Sequence, residues 1–213
     1  MMFDLGLIGT TEEIRDKCYC IPALFDEGLS FLHLRTNNMT ESGFRTILDT
    51  ISSAYHPRIV IHTYYELALT YPLRGIHLSE AGKKIPEGDL LFKKLKNKSL
   101  SASFHSLTEL KQNKRAYDYV FLSPVFDSIS KSGYKSAFSL DELKIFLTAF
   151  KKEEEAKPRV MALGGVALAT IDQVIDTGFD GAMLMGDIWS NPDPVTRFVE
   201  IRKKVETVQV QKS

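Results

Sequence analysis

Short apolar runs alternate with longer amphipathic stretches along the whole chain. Runs at 3–8, 31–35, 58–61, 75–78, 100–103, 119–125, 160–163 and 181–185 predict eight strands. Between and after them, stretches at 12–27, 40–54, 64–71, 89–96, 106–113, 139–154, 169–177 and 194–208 predict eight helices. Caps support several of the starts: Thr11 before Glu12 and Glu13, Thr40 with Gly43, and Ser139 with Glu142 in the spacing of a full capping box. The segment 83–89 reads as a loop. Runs such as 119–125 and 160–163 lack apolar and polar alternation, as strands buried on both faces do. With 213 residues in eight units, each unit has about 27, enough for a strand and a short crossover helix. The pattern predicts one domain spanning residues 1–213, an α/β fold built as a single compact (β/α)8 TIM barrel. A doubly wound open sheet uses the same units, but the first strand ends in Leu7-Ile8-Gly9-Thr10, without the glycine fingerprint of a dinucleotide fold.

Composition narrows the partners. The 27 basic and 27 acidic residues balance, so no global positive field draws nucleic acid or an anionic membrane. Cys18 and Cys20 are spaced neither as a redox pair nor as zinc ligands, and are expected to be reduced thiols. No apolar stretch approaches the roughly 20 residues of a membrane span, and the first residues carry no basic flank, so a cytoplasmic location is expected.

Candidate chemistry gathers where the predicted strands end. The runs at 160–163 and 181–185 lead into Gly164-Gly165 and Gly186-Asp187, and loops of this kind after the last two barrel strands recurrently hold phosphate. In the second strand, Phe31, His33 and Arg35 share one face, where buried charge needs a partner or an anionic ligand. His62 ends the third strand and either it or Thr63 is within reach of the mouth; His77 lies inside the fourth strand and reads as structural; His56 before Pro57 reads as solvated. His105 follows the small-residue run Leu100 to Phe104 and precedes a helix start, a placement suited to general acid/base work. After the sixth strand, residues 127–136 carry four serines, a tyrosine and two lysines, the makings of a functional loop.

Taken in order, these segments resemble the family of thiamine phosphate synthases and TenI-type thiazole tautomerases. The resemblance rests on Leu34-Arg35, Gly75-Ile76-His77-Leu78, Ser103-Phe104-His105-Ser106, the run Asp118 to Phe126, Ser128-Ile129-Ser130-Lys131, Gly164-Gly165 and Gly178-Phe179-Asp180-Gly181-Ala182. It implies a phosphorylated thiazole as substrate, with a monophosphate cradle of Gly165 and Gly186 backbone, Ser128, Ser130 and Lys131. Ser103 joins the substrate-binding residues; His105 is the general acid/base; Arg35, with His33 or His62, grips a carboxylate. The departures separate two activities. Where the synthases carry a lysine after the second strand this chain has Asn37, and where they end the third strand in Asn-Asp it has His62-Thr63. After the fourth strand only Glu80 is available as a displaced acid. Magnesium needs hard oxygen ligands, so the departures imply a metal-free TenI-like thiazole tautomerase with no cofactor. The alternatives are thiamine phosphate synthase, with magnesium, or a binding-only regulator of a thiamine precursor. Homodimers are common in the family, and Phe146, Phe150 and Trp189 are expected to be exposed enough to support one.

Overall fold

A computed structural model describes residues 3–36, 38–127, 136, 138–153 and 157–211. The strands are β1 Asp4–Thr10, β2 Phe31–Arg35, β3 Ile59–Ile61, β4 Gly75–Leu78, β5 Ser99–Phe104, β6 Tyr119–Leu122, β7 Arg159–Ala162 and β8 Gly181–Leu184. Each pairs in parallel with the next, and β8 pairs with β1, so the sheet closes into the eight-stranded barrel that the pattern predicts. Period two then sorts the side chains. Residues such as Leu5, Leu7, Leu32, Leu34, Val120 and Leu122 face the helices in one continuous apolar shell. Ile8, Phe31, Tyr119, Phe121, Met161 and Met183 fill the barrel interior. Aspartate and arginine close its lower end, where Asp4 pairs with Arg159 and Arg159 Nη2 donates to the Asp180 carbonyl at 2.9 Å.

Several local expectations change. The stretch expected as one helix at 12–27 is broken into Thr11–Lys17, a 3-10 turn Cys18–Cys20 and Ile21–Asp26, with Pro22 in the first turn of the last piece. Its cap is Thr10 rather than Thr11, and Thr10 with Glu13 forms a full capping box. Thr40 caps Glu41–Thr50 by accepting from the Gly43 amide, as expected, while Ser139 accepts from Glu142 at the start of Leu140–Phe150. Two short helices were not expected, Glu80–Lys83 and Gly186–Trp189. His56 is buried, not solvated: its Nε2 lies 3.1 and 3.0 Å from the carbonyls of Leu48 and Ile51, at the C-terminal end of the Glu41–Thr50 helix. Phe150 and Trp189 are buried too and Phe146 is half-buried, so these three do not form an exposed apolar patch. Trp189 is drawn inward by its indole N–H, which donates to the Ile8 carbonyl at 2.6 Å. Among the described residues, no helix is long and apolar enough to cross a membrane.

Gly75 marks the tightest strand contact, since a Cβ there would lie 1.9 Å from the Ser99 carbonyl oxygen. Gly75→Ala is expected to pry β4 from β5 and cost about 3 kcal/mol, read as a lowered urea midpoint.

Candidate active site

At the C-terminal rim of the barrel the structure opens a cavity of about 620 Å³, walled by Arg35, Ser103, His105, Ser123, Gly164, Gly165, Met185, Gly186 and Asp187 among others. Five of the sequence-predicted site residues therefore meet in one place: Arg35, Ser103, His105, Gly165 and Gly186. Ser128, Ser130 and Lys131, like Asn37, lie outside the described residues. The Ser136 amide donates to Asp127 at 2.6 Å and the Ser136 hydroxyl to the Val125 carbonyl at 2.8 Å.

The glycine wall is built by backbone geometry. Gly164 and Gly165 have φ of 92° and 65°, in the left-handed region, and a Cβ on Gly165 would meet Phe126 Cβ and the Asp127 carbonyl at 2.6 Å. The loop after β7 thus lies flat against the loop after β6. A side chain that sequence reasoning passed over ties it to β8: Asp187 Oδ2 accepts from the Leu168 amide at 3.0 Å. The Thr170 hydroxyl supports the same turn by donating to the Gly165 carbonyl at 3.0 Å. Amide N–H groups beside such glycines suit a phosphoryl group.

His105 is exposed at the rim, just before Ser106, whose hydroxyl caps the Leu107–Gln112 helix by accepting from the Glu109 amide. Its Nδ1 lies 2.9 Å from the Ser123 carbonyl oxygen. A carbonyl only accepts, so Nδ1 carries a proton and donates, and in the neutral ring the lone pair therefore sits on Nε2. Sequence reasoning had no signal for Ser123, because its contribution is a main-chain oxygen.

His33 and His62 belong one layer lower, outside the cavity wall. His33 Nδ1 is 2.8 Å from His62 Nε2, and His33 Nε2 is 2.7 Å from the Tyr119 hydroxyl. Both ring nitrogens of His33 are therefore engaged inside the barrel, and it does not reach a ligand at the mouth. His77 completes the layer, its ring parallel to those of His62 and Phe121 at centroid distances of 4.3 and 4.5 Å. Burial holds all three imidazoles neutral. His62 is lowered to about 3, first by desolvation and then by the Arg35 guanidinium. His33 and His77 are pushed well below the usual imidazole range, first by desolvation and then by His62, with Arg74 adding to the effect on His33 and His33 and Lys83 to that on His77. Ligand atoms of the three lie within 4.8 Å of one another. The His62 and His77 planes, however, are only 21° apart, so their lone pairs run side by side instead of converging on an ion.

The donor set also bears on magnesium. At the positions where the resemblance would place acids, the structure has the half-buried His62 and Glu80, whose carboxylate pairs with Lys83 at 2.7 Å. Lys83 also binds Glu109 at 2.8 Å. Asp187 is the one carboxylate on the cavity wall among the described residues, and one of its oxygens is already taken. These groups do not fit a magnesium cage.

A closed parallel barrel with glycine-ended loops after β7 and β8 and a histidine at the same rim defines the class: a β/α barrel with its candidate site at the C-terminal rim. The chain belongs to the thiamine monophosphate synthase family, whose profile matches residues 6–188. It is 28% identical over 207 residues to the thiamine-phosphate synthase of Desulfitobacterium hafniense strain Y51, covering 91% of this chain and 94% of that one. It is also 28% identical over 182 residues to the thiamine-phosphate synthase of Proteus mirabilis, covering 84% and 81%. Among solved structures it resembles a thiamine phosphate pyrophosphorylase from Bacteroides thetaiotaomicron, with TM-score 0.76, 29% identity and coverage of 97% and 98%.

The neutral imidazole layer has a consequence for stability. A histidine whose folded pKa is depressed stabilises the fold above its unfolded value of 6.5, and that contribution drains away as pH falls toward the folded value, about 3 for His62. Each such group should steepen the loss by up to about 1.4 kcal/mol per pH unit. Urea melts between about pH 7 and pH 5, where carboxylates stay ionised, should show a falling midpoint, with a shallower fall in His62→Gln. A level midpoint would show that the layer is not held neutral.

Proposed function

We propose that the protein is an enzyme of thiamine biosynthesis that receives a thiazole monophosphate at the barrel mouth. The observation that carries this reading is a single cavity shared by the Gly165 and Gly186 loops, the Arg35 guanidinium and the His105 imidazole. The relatives' names support the joining of that thiazole to an aminopyrimidine diphosphate with release of diphosphate. They support it better than the tautomerase inferred from the sequence departures, so the synthase reaction is the first reading. Tautomerisation is the second, favoured by one observation: the acids that would anchor magnesium are replaced by His62, Thr63 and the ion-paired Glu80.

The chain's own groups act alike in both. Amides at Gly165 and Gly186 hold the monophosphate. Arg35 faces the second anionic group, the diphosphate in the first reading and the carboxylate in the second. His105, anchored through Nδ1 on the Ser123 carbonyl, offers Nε2 to take up a proton and return it. No step is assigned to magnesium.

Two assays with the purified protein decide between the readings. The first follows thiamine phosphate formation from the two substrates with magnesium; the second follows aromatisation of the carboxythiazole phosphate tautomer without it. Product in the first supports the synthase; product only in the second transfers the assignment to the tautomerase, and product in neither overturns both. His105→Ala is expected to slow aromatisation by roughly 10²–10⁴-fold while leaving binding of the thiazole phosphate in place.

A further inference from the structure

Behind the rim, on the helix side of β5, one ammonium gathers three oxygens. Lys83 Nζ lies 2.7 Å from the Glu80 carboxylate, 2.8 Å from that of Glu109 and 2.8 Å from the Ser103 carbonyl oxygen, with the Phe104 ring centroid 4.7 Å away. An ammonium has three protons to donate, and here each finds an acceptor. The Lys83 side chain is only 13% exposed, so this group is shielded from the water that weakens surface ion pairs. Glu80 is the weak arm, since it is 67% exposed and belongs to the same short helix as Lys83. The Ser103 carbonyl and Glu109 are the arms that join the loop after β4 to the end of β5.

Glu109 carries the contact onward to His105. Its Oε2 accepts from the His105 amide at 3.3 Å, while its own amide donates to Ser106 Oγ at 3.0 Å. Lys83 thereby holds the main chain at Ser103 directly and at His105 through Glu109. From the other side, the His105 ring is held by the Ser123 carbonyl after β6. The imidazole is thus braced twice, along its backbone from the β4 loop and at Nδ1 from the end of β6. Neither Lys83 nor Glu109 is on the cavity wall, so neither touches a ligand held there. Burial alone would raise the Glu109 carboxyl, yet Lys83 and the His105 amide hold it below the usual carboxylate range, which keeps the brace ionised at neutral pH. Lys83 and His105 are the titratable groups that face it.

We infer that Lys83 is a positioning residue for the reaction: through Glu109 and the Ser103 carbonyl it ties the loop after β4 to the end of β5 and so aims the His105 imidazole into the cavity. The inference rests on the acid/base role given to His105 under the proposed function.

The test uses the full chain. Lys83→Met removes the ammonium and keeps an apolar stem over Phe104. Whichever of the two reactions the protein carries out should lose up to about 10²-fold in kcat, with KM and the calorimetric affinity for thiazole phosphate unchanged. Glu109→Gln, which retains the cap made by its main-chain amide, should give the same split. In a His105→Ala background Lys83→Met should cost nothing more, because both changes act on one step. A readout without turnover is the His105 amide in proton–nitrogen spectra. Its shift should follow the Glu109 titration, which should move up in Lys83→Met and vanish in Glu109→Gln. An unmoved His105 amide, an unchanged kcat in both variants, or a further loss on top of His105→Ala would each overturn the inference. If neither reaction is observed, the amide decides the brace by itself, so a failure of the proposed function is seen separately.

Discussion

An imidazole buried inside a β barrel has to remain neutral and keep its ring nitrogens hydrogen-bonded, and the upper half of this barrel holds two, His33 and His77, that obey that constraint. His33 hangs between His62 and Tyr119, and His77 between Ser101 and Ser103. Because the strands are closed into a ring, no water-filled edge is available to solvate them, so the polar partners have to come from neighbouring strands. That demand explains why β5 points serines inward where β6 points Tyr119 and Phe121.

The rim is held by different means. The loops after β6, β7 and β8 bind one another through the Phe126 amide to the Gly164 carbonyl at 3.1 Å and the Leu168 amide to Asp187 at 3.0 Å. Their backbone amides are thereby positioned before any ligand arrives, which lowers the ordering cost of binding an anion. Rigid glycine loops at one side and a tautomer-locked histidine at the other make the cavity electrically asymmetric: donors and a guanidinium face acceptors.

Kinship and site chemistry bear on function in different ways. The family match and the relatives' names speak for thiamine-phosphate formation. The fold is common to many activities, and what a barrel does is set by a handful of residues at its rim. At the positions where the resemblance would place metal-binding acids, this chain carries His62, Thr63 and Glu80, whose carboxylate pairs with Lys83.

From the sequence alone, the eight strands, the parallel barrel and the clustering of Arg35, Ser103, His105, Gly165 and Gly186 were legible, because periodicity and strand ends are local properties that closure of a barrel turns into position. The misreadings share a cause: each concerned a hydrogen-bond partner or a depth outside the residue's own element. His56 is buried because it caps carbonyls of the preceding helix, and Trp189 because Ile8, far away in sequence, offers its carbonyl. His33 and His62 were placed at the mouth, yet period two assigns a face and says nothing of depth along the barrel axis. Depth is set by the register between strands, which aligns His33 with Val60 and His77 with Ser101. The chain determined which groups point inward; only the tertiary structure decided which of them bond to each other and which are left to meet a substrate, because hydrogen-bond direction is settled by neighbours that sequence spacing does not encode.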